Sequence, residues 1–270
     1  MTENLSTEIP DAAPSRLSKA ERQDRIIAEL GNAPALRASE LALRLGVSHE
    51  TIRRDLMHLD EQGQINRTYG GAARPFGSEP PLRERRDQHV AERQRIAARF
   101  VPMISPGEVL LLGAGSTTWH LARLLAGNCR DITVITNDMA VASALCTNPD
   151  IRTILLAGRV HQSEGYVYGS QTILGISAYN ANWAVVGATG IGPTGAFDAD
   201  DEAAGIYGAM VRRAAQSVVI ADASKIDQSA LAVFATWNDI DLLITDRAPG
   251  ADLASALTHG RTGLLIAPDI

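Results

Sequence analysis

From Glu108 onward the chain alternates short apolar runs with stretches of helical length, and that rhythm leaves few folds open. The segments 109–112, 132–135, 151–156, 183–186, 217–221 and 242–245 each have the length and aliphatic content of a strand buried on both faces. Between them lie predicted helices at 117–125, 139–147 and 202–216. A βαβα order predicts an α/β fold with a mostly parallel sheet covered by helices. Aromatic residues make up only 4% of the chain, a balance that suits helices on a parallel sheet better than a β-sandwich.

The first third reads differently. Residues 1–15 are polar, with Pro10 and Pro14, and predict a disordered tail. A helix is expected from Lys19 to Leu30, with Ile26, Ile27 and Leu30 on its apolar face and Gly31-Asn32 closing it. A second, short helix carries Leu41, Ala42 and Leu45. Gly46 ends it, Val47 plugs the core, and Ser48 caps a third helix bearing Ile52, Leu56 and Leu59. Residues 64–69 alternate like a strand and stop at Gly70-Gly71, as a hairpin wing would. The stretch from Ala72 to Pro81 holds three prolines and reads as a linker, after which 82–102 predicts one charged helix with Val90, Ile96, Ala97, Phe100 and Val101 on its apolar face.

Helix, tight turn and helix followed by a wing is a DNA-reading arrangement. In the third helix His49, Thr51 and Arg53 are placed near the N-terminus to reach bases or phosphates, with Ser48 at the cap and Arg54 on the exposed side. Asn66, Arg67 and Tyr69 of the wing suit the sugar-phosphate backbone or an adjacent minor groove. Glu50 and Asp55 stand at intrahelical spacing from the two arginines and offer the competing reading, a solvated charged face. Charge supports DNA contact at one end: Lys and Arg outnumber Asp and Glu 16 to 12 between Arg16 and Arg99, and are outnumbered 16 to 9 from Phe100 onward.

In the larger part, Gly113-Ala114-Gly115-Ser116-Thr117-Thr118 follows a predicted strand and opens a predicted helix. Glycines allow close backbone approach, and the helix start offers N–H donors and hydroxyls, so Gly115, Ser116, Thr117 and Thr118 form a candidate phosphate cradle. Other strand ends bring Asn137 and Asp138, Gly158, Gly187 and Gly190, and Lys225 toward the same sheet edge. Asp138 and Asp222 also suit helix caps. The acidic run containing Asp198 and Glu202 reads as a loop and helix N-terminus, and supplies further candidate effector contacts.

Three pieces together, Leu41-Ala42 through Gly46-Val47-Ser48, Thr51-Ile52-Arg53-Arg54-Asp55-Leu56, and Arg67-Thr68-Tyr69-Gly70-Gly71-Ala72, resemble the DNA-binding signature of the DeoR family of bacterial regulators. The remainder is similar to that family's sensor domain, itself similar to sugar-phosphate isomerases. The resemblance implies a repressor of sugar or nucleoside catabolism in which the Gly115 turn holds phosphate, Asn137 and Asp138 face sugar hydroxyls and Lys225 closes the site. This sequence departs from the family at Arg37, where a small capping residue is usual, at Gly113, where an acidic residue is common, and at Tyr207-Gly208, where a Lys-Arg pair is usual.

The expected organisation is a tail at 1–15, a winged helix-turn-helix at 16–72, a linker at 73–81 and an effector-sensing, oligomerising domain at 82–270. Expected partners are double-stranded operator DNA, a small phosphorylated metabolite, and further copies of the chain in a dimer or tetramer. No enzyme activity, cofactor or metal is called for, and Cys129 and Cys146 lack ligand spacing and read as packing residues. Without an apolar stretch near the ~20 residues of a membrane span, a cytoplasmic protein is expected. The rival readings are a sugar-phosphate isomerase with a DNA-binding appendage, with Asp198, Glu202 and Lys225 as its acid–base candidates, and a ligand-free adaptor.

Overall fold

The computed structural model describes residues 17–32, 35–61, 65–68, 70–73 and 82–267. The expected tail, Tyr69 and positions 74–81 of the expected linker lie outside them. The chain divides into two compact units, Met1–Pro75 and Phe76–Ile270.

In the first unit, α1 (Lys19–Asn32), β1 (Ala35–Arg37), α2 (Ala38–Leu45), α3 (His49–Glu61), β2 (Asn66–Thr68) and β3 (Gly71–Ala73) enclose a small core. Ile26, Leu30, Leu41, Ile52, Leu56 and Leu59 fill it from the three helices, with Leu36 and Ala72 added from the strands. Gly46 takes the left-handed conformation (φ 64°) and its N–H bonds back to the Ala42 carbonyl, which turns the chain sharply into α3. The strands form an antiparallel sheet in the order β1-β3-β2. Sequence reading found the wing and missed β1, because three residues carry no period of their own and become a strand only by pairing with 71–73. Ala72 and Ala73 accordingly belong to β3. At the departure noted for Arg37, the Glu40 carboxylate accepts from the Arg37 N–H at 2.9 Å and does the capping from inside the helix.

The second unit begins with α4 (Leu82–Asp87) and α5 (Val90–Phe100). These replace the single helix expected over 82–102: His89 adopts φ 51°, a left-handed residue that ends one helix and restarts another, with no Gly or Pro to announce it. There follow β4 (Val109–Leu112), α6 (Ser116–Asn128), β5 (Ile132–Thr136), α7 (Met139–Leu145), β6 (Ile151–Leu155), β7 (Arg159–Val160), β8 (Val167–Tyr168), α8 (Ser170–Ser177), β9 (Ala181–Val186), β10 (Gly190–Gly192), β11 (Gly195–Asp198), α9 (Asp201–Arg213), β12 (Ala214–Ile220), β13 (Ala232–Ala235), β14 (Leu242–Thr245), α10 (Ala251–Gly260) and β15 (Gly263–Ile266). All six expected strands are present. Helix α9 ends at Arg213 instead of Gln216 because Ala214 and Gln216 pair with Ala181 and Trp183 of β9.

Seven strands form one parallel sheet in the order β15-β14-β12-β9-β4-β5-β6. Alternation along each strand feeds two cores. Leu110, Leu112, Val134 and Val185 pack with Ile96, Phe100, Leu121 and Val141 of α5 to α7, whereas Leu111, Ala184 and Val219 pack on the other face with Ile176, Ile206, Met210 and Leu253 of α8 to α10. Cys129 packs against the first of these cores, but Cys146 is exposed and is not the packing residue expected. Successive strands run outward from β4 through β5 to β6, then restart at β9 on its other side. The strand order reverses between β4 and β9, and a crevice opens there at the carboxyl ends of the strands.

Candidate functional site

The two units each carry a candidate surface. On α3 the hydroxyls of Ser48 and Thr51 lie 2.8 Å apart, and Ser48 Oγ accepts the Thr51 N–H at 3.1 Å, so the helix start is capped as the sequence implied. Ile52 and Leu56 face the core, and His49, Arg53 and Arg54 face outward. The Arg53 and Arg54 side chains are 61% and 76% exposed and approach Glu50 at 3.8 and 3.5 Å. Such exposed pairs are weak and readily exchanged for phosphate contacts. Asp55 does not join them. It is buried, receives Arg22 Nε at 2.5 Å and Gln23 Nε2 at 3.3 Å, and thereby fastens α1 to α3. Arg67 is exposed on the wing, where its backbone N–H donates to Asp60.

A cleft of about 230 Å³ opens in the second unit where the strand order reverses. Of the predicted effector residues, Gly115, Ser116, Thr117, Gly187, Asp198 and Lys225 line it. The N–H groups of Ser116 and Thr117 stand in the first turn of α6, where no helical acceptor exists for them, and both side chains are buried at the cleft wall.

The remaining predicted residues do other work. Thr118 is fully buried and its hydroxyl donates to the Gly115 carbonyl. Asn137 is buried and donates from Nδ2 to the Val167 carbonyl, which holds β8. Asp138 caps α7 through the N–H groups of Ala140 and Val141, and its second oxygen takes the Gly115 N–H at 3.3 Å, removing that donor from the cradle. Burial raises the Asp138 pKa above the usual carboxylate range, opposed by these N–H donors. Gly158 and Gly190 are glycines for packing: a side chain would run into Thr172 and Tyr168 at the first and into the Gln228 backbone at the second. Glu202 lies in the first turn of α9 and faces Arg159 at 3.6 Å on the surface. None of these six is placed in the cleft lining.

Sequence reading missed the opposite wall, which is formed by α4 and the β7–β8 turn. Leu82 and Arg85 come from α4, and His161, Ser163, Glu164 and Tyr166 from the turn. Arg85 pairs with Glu164. The His161 ring stacks on Tyr166, 5.1 Å between centroids, and Tyr166 donates to Asp200, whose other oxygen caps α9. Burial and the adjacent Asp200 carboxylate push the Tyr166 hydroxyl far above its ordinary pKa, so it remains a donor.

The two departures near the cleft meet in space. A Cβ at Gly113 would lie 3.0 Å from Cε1 of Tyr207, and the Tyr207 hydroxyl donates to the Ala114 carbonyl at 3.0 Å. The ring thus occupies the room a side chain at 113 would need and is pinned there. We expect Gly113→Asp to destabilise the unit by about 3 kcal/mol through overpacking and carboxylate burial. In a double-mutant cycle with Tyr207→Lys the two changes should couple by about 1–3 kcal/mol. Additive unfolding free energies in urea would show that the two positions are independent.

Comparison with known proteins matches both units. Residues 22–75 match the DeoR-like helix-turn-helix domain, and residues 88–247 match the DeoR C terminal sensor domain. The HTH-type transcriptional repressor GlcR of Bacillus subtilis is 33% identical over 84% of this chain and 88% of its own length. The Glycerol-3-phosphate regulon repressor of Escherichia coli is 28% identical over 90% of this chain and 96% of its own. Ribose 5-phosphate isomerase A of Methanocaldococcus jannaschii aligns with 49% of this chain and 52% of its own at 19% identity and a TM-score of 0.37, a level from which nothing follows. Both relatives are transcriptional repressors by name, and among the described residues no helix is long and apolar enough to cross a membrane. With a helix-turn-helix and a sensor domain matched in the same order along most of its length, the chain belongs to the DeoR family of DNA-binding transcriptional regulators.

Proposed function

We propose that this regulator represses a sugar or related carbon-catabolism operon and releases it when a small phosphorylated metabolite enters the cleft. The observation that carries the effector half is the cleft itself, where the start of α6 and Lys225 meet at the strand-order reversal. A helix start offers N–H groups and a positive dipole end to an anion, and a lysine adds a point charge. The name of one relative, a glycerol-3-phosphate regulon repressor, supports a phosphorylated effector. In this reading 16–72 bind operator DNA, 73–81 link, and 82–270 sense and oligomerise. Gly115, Ser116, Thr117, Gly187, Asp198 and Lys225 hold the metabolite. Ser48, His49, Thr51, Arg53, Arg54, Asn66, Arg67 and Tyr69 meet the DNA, and a dimer or tetramer places paired helices on a palindromic site.

Operator binding tests the DNA half. With operator duplexes selected from a random pool, Arg53→Ala and Arg54→Ala should each weaken binding and leave the fold intact, since both side chains point away from the core. A lost phosphate contact lowers the slope of log K against log salt by about one for every sequence, whereas a lost base contact costs about 1–3 kcal/mol at one position. Unchanged binding in both variants would place the DNA on another face.

A further inference from the structure

Helix α4 is the first described element of the second unit, on the side from which the chain arrives from the DNA-binding unit, and it also lines the cleft. Among the described residues its attachments include three. The Arg85 carbonyl accepts from Arg93, whose guanidinium is buried against Asp222. The Arg86 carbonyl lies 3.2 Å from His120 Nε2, and the Arg86 guanidinium sits over the Trp119 ring at 5.1 Å. The third attachment is the ion pair between Arg85 and Glu164. Of these, the third has both partners in the cleft lining, where a ligand can reach it.

Resting on the effector reading above, we propose that the Arg85–Glu164 pair is a clasp opened by ligand: an anionic group of the bound metabolite takes the Arg85 guanidinium from the Glu164 carboxylate and so shifts α4. A guanidinium carries a permanent charge and a planar fork of donors that fits carboxylate and phosphate alike, so one anion replaces the other without any change of protonation. The pair is only partly exposed, 11% for Arg85 and 24% for Glu164, which keeps the exchange from being screened away. The turn that bears Glu164 keeps its place when the carboxylate lets go. Its backbone is tied independently, with Gly165 N–H bonded to the His161 carbonyl at 2.8 Å, Met139 N–H to the Gly165 carbonyl at 3.2 Å and Val167 N–H to the Asn137 carbonyl at 2.7 Å. The exchange is therefore felt by α4 and not by the β7–β8 turn. Glu164 is a competitor for the ligand, and Arg85 a binding residue that reports occupancy toward the DNA-binding unit.

Calorimetric titration of the full chain with inorganic phosphate at constant ionic strength tests this by the sign of two effects. Glu164→Gln removes the competing charge and should tighten phosphate binding by about three- to tenfold, while Arg85→Gln should weaken it by about tenfold, the scale of a charged hydrogen bond. Arg85→Lys, which keeps the charge and loses the fork, should fall between wild type and Arg85→Gln, and guards against a folding defect in the latter. Without phosphate, Glu164→Gln should also bind selected operator duplexes more weakly than wild type. If Thr117→Ala with Lys225→Ala abolishes phosphate binding but the Glu164 and Arg85 variants shift it in the same direction or not at all, the clasp is wrong and the effector site stands. If wild type does not bind phosphate, or the Thr117 and Lys225 changes leave binding untouched, both are overturned.

Discussion

Replacing Arg93 by methionine is expected to lower the stability of the second unit by about 3–5 kcal/mol, the cost of leaving one member of a buried ion pair without its partner. Arg93 and Asp222 have side chains 2% and 1% exposed and meet at 3.0 Å. The pair joins α5 to the turn that carries Lys225, because the other Asp222 oxygen accepts from the Ser224 N–H at 3.1 Å and from its hydroxyl. Burial pushes the Asp222 pKa up, but Arg93, the Ser224 hydroxyl and Lys225 outweigh it and hold the carboxyl below its ordinary value. A depressed carboxyl pKa stabilises the fold above the unfolded value near ~4 and loses that contribution as pH falls through the lower, folded value. Urea unfolding from neutral to acidic pH should thus show wild type losing its advantage over Arg93→Met in the acid range. The double variant Arg93→Met with Asp222→Asn should recover part of the loss, since no uncompensated charge remains. A single-variant cost below about 1 kcal/mol would mean that water reaches the pair, contrary to its burial.

Loss of metabolite response in Thr117→Ala combined with Lys225→Ala is the second large expected effect. Thr117 lies in the first turn of α6 with its side chain at the cleft wall, and Lys225 reaches the same cleft from the turn after β12. In the proposed site they supply a hydroxyl and a charge to the bound anion. Coupling between two sites is usually worth ~1–3 kcal/mol, so the metabolite should change wild-type operator affinity by roughly 5–150-fold and the variant's hardly at all. Operator affinity of the free variant should match that of the free wild type, because neither residue lies in the DNA-binding unit. The reciprocal measurement is a control: operator DNA must alter wild-type metabolite affinity by the same factor. The measurement is operator titration with and without the phosphorylated compound that shifts wild type in a screen. A normal response from the double variant would move the effector site elsewhere.

The caps show where local sequence speaks for itself. Ser48, Gly46 and Asp138 act within a few residues of their own position, so their roles follow from residue type and spacing, as does the division of Leu110 and Leu112 from Leu111 between two cores. Asn137 and Gly158 look as suitable for a ligand as Gly187 does, and nothing local tells them apart. Their neighbours do, since Val167 and Thr172 are brought against them by the β7–β8 turn and α8.

The residue pattern alone determined the two-part organisation, the helix-turn-helix with its exposed arginines, the parallel-sheet class and the Gly-Ser-Thr turn at a strand end. Each of these is a consequence of periodicity or of conformational preference within one or two turns of chain. Only the tertiary structure decided that the strand order reverses beside that turn, that Arg85 and Glu164, 79 residues apart, close the facing wall, and that Tyr207 fills the space over Gly113. Those outcomes depend on which distant strands pair and which side chains then compete for one volume. No local preference encodes that choice, because it is settled by close packing of the whole core.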